Sequence, residues 1–274
     1  MKIGSEAHKQ LFCQSFMDSH LKYEPEKLPW PELNEEDLQR LRGIPFWEEA
    51  LSTERNAGKM VKAFADTIED EKIREAIALQ GMEEARHAKL IEYMVKHYQI
   101  ETPERPIKQI PENIEQEFVK FGYGECFDSY FAFGLFGIAR NSGFFPDQFF
   151  EIFDPVIHEE ARHIVFFVNW IAYKQVKEGK GAKILRGANS LWQYSNALKR
   201  RLGSFKGTKK GSGKGFTASG AKSVTGSLTL EKFLGTCIQE YDKRMSVFEP
   251  ELLRPEFLLS ATKTAYGTLK LLPS

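Results

Sequence analysis

The chain has 274 residues, and its 38 lysines and arginines balance its 38 aspartates and glutamates. This balance supports neither a nucleic-acid-binding protein nor a protein held on an acidic membrane surface. The three cysteines are scattered and odd in number, so we expect reduced thiols in a cytoplasmic protein, without a disulfide framework or a cysteine-rich metal site. The first ten residues lack the apolar segment of a signal peptide, and no run of about 18 apolar residues predicts a membrane span.

Residues 1–45 predict an N-terminal arm in which we find no sign of chemistry. Three prolines between residues 25 and 31 break any long helix. Only the segment after Asn34, which is a good helix cap, predicts a short amphipathic helix. We expect Trp30 and Trp47 to pack this arm onto the rest of the protein.

Residues 46–177 predict four long helices, because apolar residues recur there at spacings of three and four. The predicted helices run from about Phe46 to Glu69, from about Glu71 to Tyr98, from about Asn113 to Arg140 and from about Pro146 to Lys177. Residues 101–112 separate the second helix from the third, and their three prolines exclude a helix. Extended, this segment would span roughly 37 Å at about 3.1 Å per residue, enough to run the length of a helical bundle.

One five-residue word, Glu-Glu-Ala-Arg-His, occurs at residues 83–87 and again at residues 159–163. Residues three apart on a helix project onto one side, so the second glutamate and the histidine of each word can reach a single point. One word supplies one oxygen and one nitrogen ligand, too few for a transition-metal ion. A second word from a facing helix, with one carboxylate from each remaining helix, would complete a site for two metal ions.

Two further glutamates, Glu54 and Glu125, stand in apolar helical surroundings on the other two helices. Glu54 lies about 16 residues before the first turn and Glu84 about 13 residues after it, so their heights differ by only about 5 Å at about 1.5 Å per residue. Glu125 and Glu160 lie about 18 and about 16 residues from the turn between their own helices, and they also fall at one height. The carboxylates of each helix pair can therefore meet.

The six side chains in this pattern mix carboxylate and imidazole ligands, a set that suits iron or manganese better than a thiolate-binding ion. Burying four carboxylates without cations would be costly, and metal ions remove that cost. The candidate metal ligands are Glu54, Glu84, His87, Glu125, Glu160 and His163.

This ligand pattern resembles the ferritin-like di-iron carboxylate superfamily, which includes bacterioferritin, rubrerythrin, ribonucleotide reductase small subunits and bacterial multicomponent monooxygenases. The resemblance covers residues 46–177 and implies an all-α fold, a ferritin-like four-helix bundle with an N-terminal arm and additional C-terminal helices. It implies two bound iron ions, although manganese or a mixed pair would accept the same ligands. The implied ligands are Glu54, Glu84 and His87 for one ion and Glu125, Glu160 and His163 for the other, with Glu84 and Glu160 bridging.

The residues next to the ligands strengthen the resemblance. In the monooxygenase branch an acidic residue precedes the ligand glutamate and an arginine precedes the histidine, as in both words here. By analogy with that branch, Glu83 accepts a hydrogen bond from His163, and Glu159 accepts one from His87. Such a bond fixes the tautomer and the orientation of a ligating imidazole.

Three other residues lie near the predicted ligands, and two of them, Asp128 and His158, allow more than one interpretation. Asp128, one turn beyond Glu125, is an extra ligand, an acceptor behind a ligand or, as we slightly favour, a solvated residue at the edge. His158 lies about 140° around the helix from the histidine of the second word, and we expect a surface histidine there rather than a third nitrogen ligand. Gly58, one turn after the first predicted ligand, leaves a gap that favours an enzyme with an organic substrate.

Residues 178–274 lie outside the resemblance and predict a helical extension. This extension covers the bundle, shapes a substrate pocket or forms a dimer contact. We expect the protein to be a homodimer. Its predicted helices are residues 183–202, 230–248 and 255–272. Residues 203–226 hold seven glycines, several lysines and no acid, which is typical of a flexible loop. A nucleic-acid-binding arm is the less favoured alternative, because only two aromatic residues accompany the lysines.

We therefore expect a di-iron oxidoreductase, an oxygenase or oxidase that uses O₂ on a small organic substrate and takes electrons from a donor protein. The alternative is a ferroxidase or a peroxide-detoxifying protein related to rubrerythrin or bacterioferritin, although the Cys-x-x-Cys pairs of rubrerythrin are absent from the sequence. A second alternative is a protein that keeps the metals for stability alone or acts on RNA through the basic loop.

Overall fold

The computed structural model describes residues 1–103, 105–206 and 229–271. In these ranges the chain forms nine α-helices, one short 3-10 helix and no β-strand, so the predicted all-α class is confirmed. The α-helices are α1 (Glu6–Asp18), α2 (Glu35–Arg42), α3 (Trp47–Ala65), α4 (Glu71–His97), α5 (Ile114–Asn141), α6 (Asp147–Lys177), α7 (Lys183–Lys206), α8 (Leu230–Met245) and α9 (Glu256–Leu271).

Helices α3 to α6 are the four long helices that the sequence predicts, and side-chain caps mark where α4 and α5 begin. α3 ends at Ala65, a turn earlier than expected, because residues 66–68 make tight turns onto its last residues. α4 begins after Asp70, whose side chain accepts a hydrogen bond from the backbone N–H of Ile73. α5 begins after Asn113 in the same way.

α3 and α4 pack closely along their length, and two glycines allow their backbones to approach. A Cβ atom at Gly81 would stand 2.9 Å from the backbone nitrogen of Lys62, and one at Gly58 would stand 3.0 Å from that of Ala85. Gly58 therefore faces the backbone of α4, and the expectation of a gap for a substrate at this position is wrong. The close approach brings the predicted ligands of α3 and α4 together.

The N-terminal arm contains a helix that the sequence analysis missed. α1 packs against α4 and α6, and it buries Phe12, Cys13 and Phe16 in the apolar core that the long helices share. Ser5 caps its first turn by accepting a hydrogen bond from the backbone N–H of His8 at 3.2 Å. This cap and the four-residue spacing of the two phenylalanines are signals from which the helix could have been predicted.

The rest of the arm follows the sequence prediction. The short helix α2 begins after Asn34, whose side chain caps it. Trp47 is buried at the start of α3 and donates from Nε1 to the carbonyl of Leu41 at 2.9 Å. The ring of Trp30 lies 5.4 Å from that of Tyr93 on α4. The two tryptophans thus pack the arm onto the long helices.

The C-terminal helices cover α5, which is one of the three uses that the sequence left open. α7 and α8 pack on α5, and α9 packs mainly on α8. The contact with α8 is close at Gly134, where a Cβ atom would stand 2.3 Å from Sγ of Cys237. The first four residues of the predicted loop at 203–226 belong to α7, and the remainder of that loop lies outside the described residues.

Two smaller predictions from composition concern the cysteines and the membrane. All three cysteines are buried and free of disulfide bonds, as expected. Among the described residues, no helix combines the length and the apolar character that crossing a membrane requires.

Candidate metal centre

Six side chains from α3, α4, α5 and α6 meet at one place between these helices, and they are the six predicted ligands. The three-residue spacing within each word puts its glutamate and its histidine on the same side of the helix. The contributions are Glu54 from α3, Glu84 and His87 from α4, Glu125 from α5, and Glu160 and His163 from α6.

The His87 half of the centre gathers three carboxylates around one imidazole nitrogen. Nδ1 of His87 lies 3.2 Å from Oε1 of Glu160, 3.6 Å from Oε2 of Glu54 and 4.0 Å from Oε2 of Glu84. One ligand atom from each of these residues lies within 4.8 Å of all the others. Ligands on opposite sides of one ion, with bonds of about 2.1 Å, are about 4.2 Å apart, so the spacing suits a single ion.

The His163 half repeats this arrangement. Nδ1 of His163 lies 3.2 Å from Oε1 of Glu84, 3.9 Å from Oε2 of Glu160 and 4.0 Å from Oε2 of Glu125. The imidazole rings of His87 and His163 lie 5.8 Å apart, measured between their centroids. The centre therefore has two neighbouring positions for a cation, each next to one histidine.

Glu84 and Glu160 take part in both halves. Each turns one carboxylate oxygen toward Nδ1 of His87 and the other toward Nδ1 of His163. The shorter contact of each glutamate, 3.2 Å, reaches the histidine of the other word. The contacts within a word are longer, at 4.0 Å and 3.9 Å. The glutamate of each word therefore lies near both cation positions, and not only near the position next to the histidine of its own word.

Within the described ranges of the chain, four buried polar atoms that face the centre have no hydrogen-bond partner, namely Nδ1 of His87, Nδ1 of His163, Oε2 of Glu54 and Oε2 of Glu125. A buried polar atom left unsatisfied costs about 1–3 kcal/mol, so four at one place are a heavy burden on the fold. Cations between the helices would satisfy all four. The mixture of two nitrogens and four carboxylates fits iron or manganese.

The charges at the centre shift the protonation of its members. Burial, and then the nearby charges of Glu160 and Glu84, hold the pKa of Glu125 well above its ordinary value. Burial also raises the pKa of Glu84, although His163 beside it acts in the opposite direction. Burial lowers the pKa of His163, but the carboxylates of Glu84 and Glu83 outweigh it and raise that pKa to about 10. Without metal, protons on the histidines offset the charge of the carboxylates.

The other nitrogen of each histidine points away from the centre toward the first glutamate of the opposite word. Nε2 of His163 lies 2.8 Å from Oε2 of Glu83, and Nε2 of His87 lies 2.9 Å from Oε2 of Glu159. These are the pairs that the resemblance implies. Because a carboxylate accepts, each Nε2 carries a proton, so that Nδ1 is the nitrogen that would offer its lone pair to a bound metal ion once the imidazole is neutral.

In each word the arginine binds the same carboxylate as the histidine of that word, namely the first glutamate of the opposite word. Nη1 of Arg162 donates to Oε1 of Glu83 at 2.7 Å, and Nη2 of Arg86 donates to Oε1 of Glu159. The hydrogen bond and the charge of His163, and then the charge of Arg162, keep the pKa of Glu83 far below its ordinary value despite burial. Glu83 is therefore ionised and can hold the proton on the histidine.

Three side chains that contact glutamates of the two words were not predicted. His20 and Tyr23, both from the N-terminal arm, contact Glu83 and Glu159, although we find no sign of such contacts in the sequence of the arm. Gln80 donates from Nε2 to Oε1 of Glu84 at 3.3 Å. Gln80 lies one turn before its partner in the buried face of α4, and that spacing could have identified it.

The two sides of the centre differ in their access to water. The side chains of Glu54, Glu125 and Glu160 are 21%, 17% and 15% exposed. On the opposite side, Glu83 and Glu159 are fully buried. We call the first group the open side and the second group, with the two arginines, the sealed side.

Two residues with open interpretations stay outside the ligand set. In the described part of the chain, the groups of side chains that could bind a metal ion do not include Asp128 or His158. His158 is half-buried rather than a surface residue, and burial lowers its pKa.

Comparison with known proteins gives no identification, since no family model, no curated protein and no solved structure matches this chain.

Proposed function

We propose that this chain is a di-iron oxidoreductase, an oxygenase or oxidase that uses O₂ on a small organic substrate. One observation carries the proposal. Glu84 and Glu160 each turn one oxygen toward His87 and the other toward His163. Two carboxylates shared between two positions are what a pair of metal ions needs in order to be held close together.

We further propose that α3 to α6 form a ferritin-like four-helix bundle. The pairing of α3 with α4 and of α5 with α6, with contacts between the pairs, supports this architecture. Iron, or manganese, or a mixed pair, would be held at the centre by Glu54, Glu84, His87, Glu125, Glu160 and His163. Bound there, a redox-active pair would supply the electrons that reduce O₂.

The chain's own residues have distinct tasks in this proposal. Glu83 and Glu159 hold the protons on Nε2 of the two histidines, so that both imidazoles offer Nδ1 in a fixed orientation. The four carboxylates of the centre supply negative charge that favours higher oxidation states of a bound metal. The electron donor would be a separate protein.

The open side is the proposed route for O₂ and for the substrate. Its three glutamates are the partly exposed ligands, whereas His87 and His163 are each only 1% exposed. Small molecules that reach Glu54 or Glu125 would meet the centre directly. The sealed side keeps water away from the hydrogen bonds that orient the histidines.

A second candidate, a ferroxidase or peroxide-detoxifying protein, is favoured by the same exposure. Partly exposed carboxylates at the surface of a buried centre suit the passage of Fe(II) ions as well as the entry of an organic substrate. In this reading iron or peroxide is itself the substrate.

The test is to load the protein anaerobically with Fe(II), add O₂, and follow O₂ uptake together with the iron retained. An oxidoreductase keeps two irons per chain, and its O₂ uptake continues only while a reductant is supplied. A ferroxidase instead oxidises excess Fe(II) and retains or releases it without another reductant. His163→Ala serves as the inactive control. No O₂ uptake by iron-loaded wild-type protein would contradict both candidates.

A further inference from the structure

The segment from residue 16 to residue 23 crosses the sealed side of the centre. Nε of Arg162 donates to Oγ of Ser19 at 2.8 Å, and its Nη2 donates to the carbonyl of Phe16. Nη1 of Arg86 donates to the carbonyl of Leu21 at 2.8 Å. The arginines that hold the buried carboxylates are thus themselves held by the N-terminal arm.

Two side chains of the segment complete the partners of those carboxylates. Nδ1 of His20 lies 2.6 Å from Oε1 of Glu83, and the hydroxyl of Tyr23 donates to Oε2 of Glu159 at 3.0 Å. Each carboxylate therefore has three donors, which are the histidine and the arginine of the opposite word and one residue of the arm. The network is closed only when the arm is in place.

Aromatic rings of the same segment cover the two guanidinium groups. The ring of Tyr23 lies 4.1 Å from the guanidinium carbon of Arg86, and the ring of Phe16 lies 4.4 Å from that of Arg162. Such rings attract a cation and also keep water from it. Hydrogen bonds to buried charges are strong in these dry surroundings.

The two halves of the network are not equivalent. Oε2 of Glu159 accepts from both His87 and Tyr23, whereas Oε2 of Glu83 accepts from His163 and leaves its other oxygen to Arg162 and His20. Tyr23 therefore shares an oxygen with the histidine that it helps to orient. Removing its hydroxyl acts on the His87 half more directly than on the His163 half.

We infer that residues 16–23 are part of the metal centre, and that His20 and Tyr23 are positioning residues that fix Glu83 and Glu159 against the ligating histidines. This inference rests on the proposed metal centre, but not on the reaction that the centre performs. Residues that hydrogen-bond directly to a metal ligand, as Glu83 and Glu159 do, typically contribute 10- to 100-fold to metal affinity. His20 and Tyr23 act one hydrogen bond further out, so we expect their effect at the lower end of that range. The arm thus sets how firmly the metals are held, although it supplies none of the six proposed ligands.

The alternative is that the arm contributes only apolar packing through α1. Tyr23→Phe separates the two, because it removes one hydroxyl and keeps the ring beside Arg86. Tyr98→Phe is the matched control, since the hydroxyl of Tyr98 also makes one hydrogen bond, to the carbonyl of Pro31 at 2.7 Å. His20→Ala removes the other contact, and His20→Asn keeps a short side chain with an N–H donor.

The measurement is the rate at which a chelator removes Fe(II) from the anaerobically loaded full-length protein, with the unfolding temperature of each metal-free variant recorded in parallel. We expect release about tenfold faster in Tyr23→Phe and His20→Ala, wild-type release in Tyr98→Phe, and partial recovery in His20→Asn. Wild-type release rates in both Tyr23→Phe and His20→Ala overturn the inference and leave the metal centre standing. A wild-type protein that binds no iron overturns the inference together with the proposed function.

Discussion

The sealed and the open side of the centre hold glutamates in opposite electrostatic situations. Glu83 is fully buried, yet an arginine and a histidine compensate its charge. Glu125 is 17% exposed. Burial raises its pKa, and the negative charges of neighbouring carboxylates raise it further. Local partners, rather than depth alone, decide which carboxylate stabilises the metal-free fold and which one needs a cation.

Among the single substitutions, the largest expected effect is on the sealed side. Glu83→Gln removes the charge that compensates Arg162, whose side chain is fully buried, and it turns an amide donor toward existing donors. Breaking a buried ion pair by removing one partner typically costs about 3–5 kcal/mol. We expect the free energy of unfolding of the metal-free protein, measured in urea, to fall by about 3 kcal/mol. A loss below about 1 kcal/mol would show that the pair does not stabilise the fold.

The next effect is the dependence of metal-free stability on pH. The pKa of His163 is raised to about 10 in the folded protein, against about 6.5 when unfolded, so its contribution is complete below about pH 6.5 and is lost as the pH rises toward 10. One such proton gives a slope of up to about 1.4 kcal/mol per pH unit. The raised pKa of Glu125 acts in the same direction.

Urea unfolding at several pH values, with and without metal, measures this slope. We expect the metal-free protein to lose stability from neutral to alkaline pH, and the loaded protein to lose less because its Nδ1 atoms are occupied. At acidic pH the lowered pKa of Glu83 has the opposite consequence, because the metal-free protein should lose stability as the pH falls below about 4. Metal-free stability that rises from pH 7 to pH 9 would contradict the assignment.

The smallest effect is expected on the open side, where a substitution should raise the free energy of unfolding of the metal-free protein rather than lower it. Glu125→Gln keeps the shape of the side chain and replaces a carboxyl group whose ionised form is disfavoured by burial and by three neighbouring glutamates. We expect the metal-free variant to be more stable than wild type at neutral pH by about 1 kcal/mol or less. The same variant should bind iron more weakly. A metal-free Glu125→Gln that is clearly less stable than wild type would remove the contrast between the two sides.

The extent to which the sequence predicted this structure differs between the long helices and the arm. The repeated word and the matched heights of Glu54 and Glu125 place the six side chains together, because helical geometry converts spacing into position. The crossed contacts, in which Glu84 lies closest to His163, depend on side-chain rotation and could not be derived from spacing.

His20 and Tyr23 were beyond the reach of such arguments. They are single residues in a segment without periodicity, and their partners stand 63 and 136 positions away along the chain. Gly58 shows the opposite error, since a small residue beside a predicted ligand suggested free space, and the structure uses it for helix contact. A glycine in a helix can leave free space or allow another helix to approach closely, and the position of the neighbouring helix decides which of the two occurs.

The stoichiometry of metal binding tests the central claim most directly, since it depends neither on the substrate nor on the electron donor. Glu84→Ala removes one of the two carboxylates that face both histidines, whereas Glu151→Ala removes an exposed carboxylate of the same helix as His163 and serves as the control. After anaerobic loading with Fe(II) and removal of free metal, we predict two irons per chain in the wild type and in Glu151→Ala, and fewer than one in Glu84→Ala. Two irons per chain in Glu84→Ala, or none in the wild type, would contradict the account.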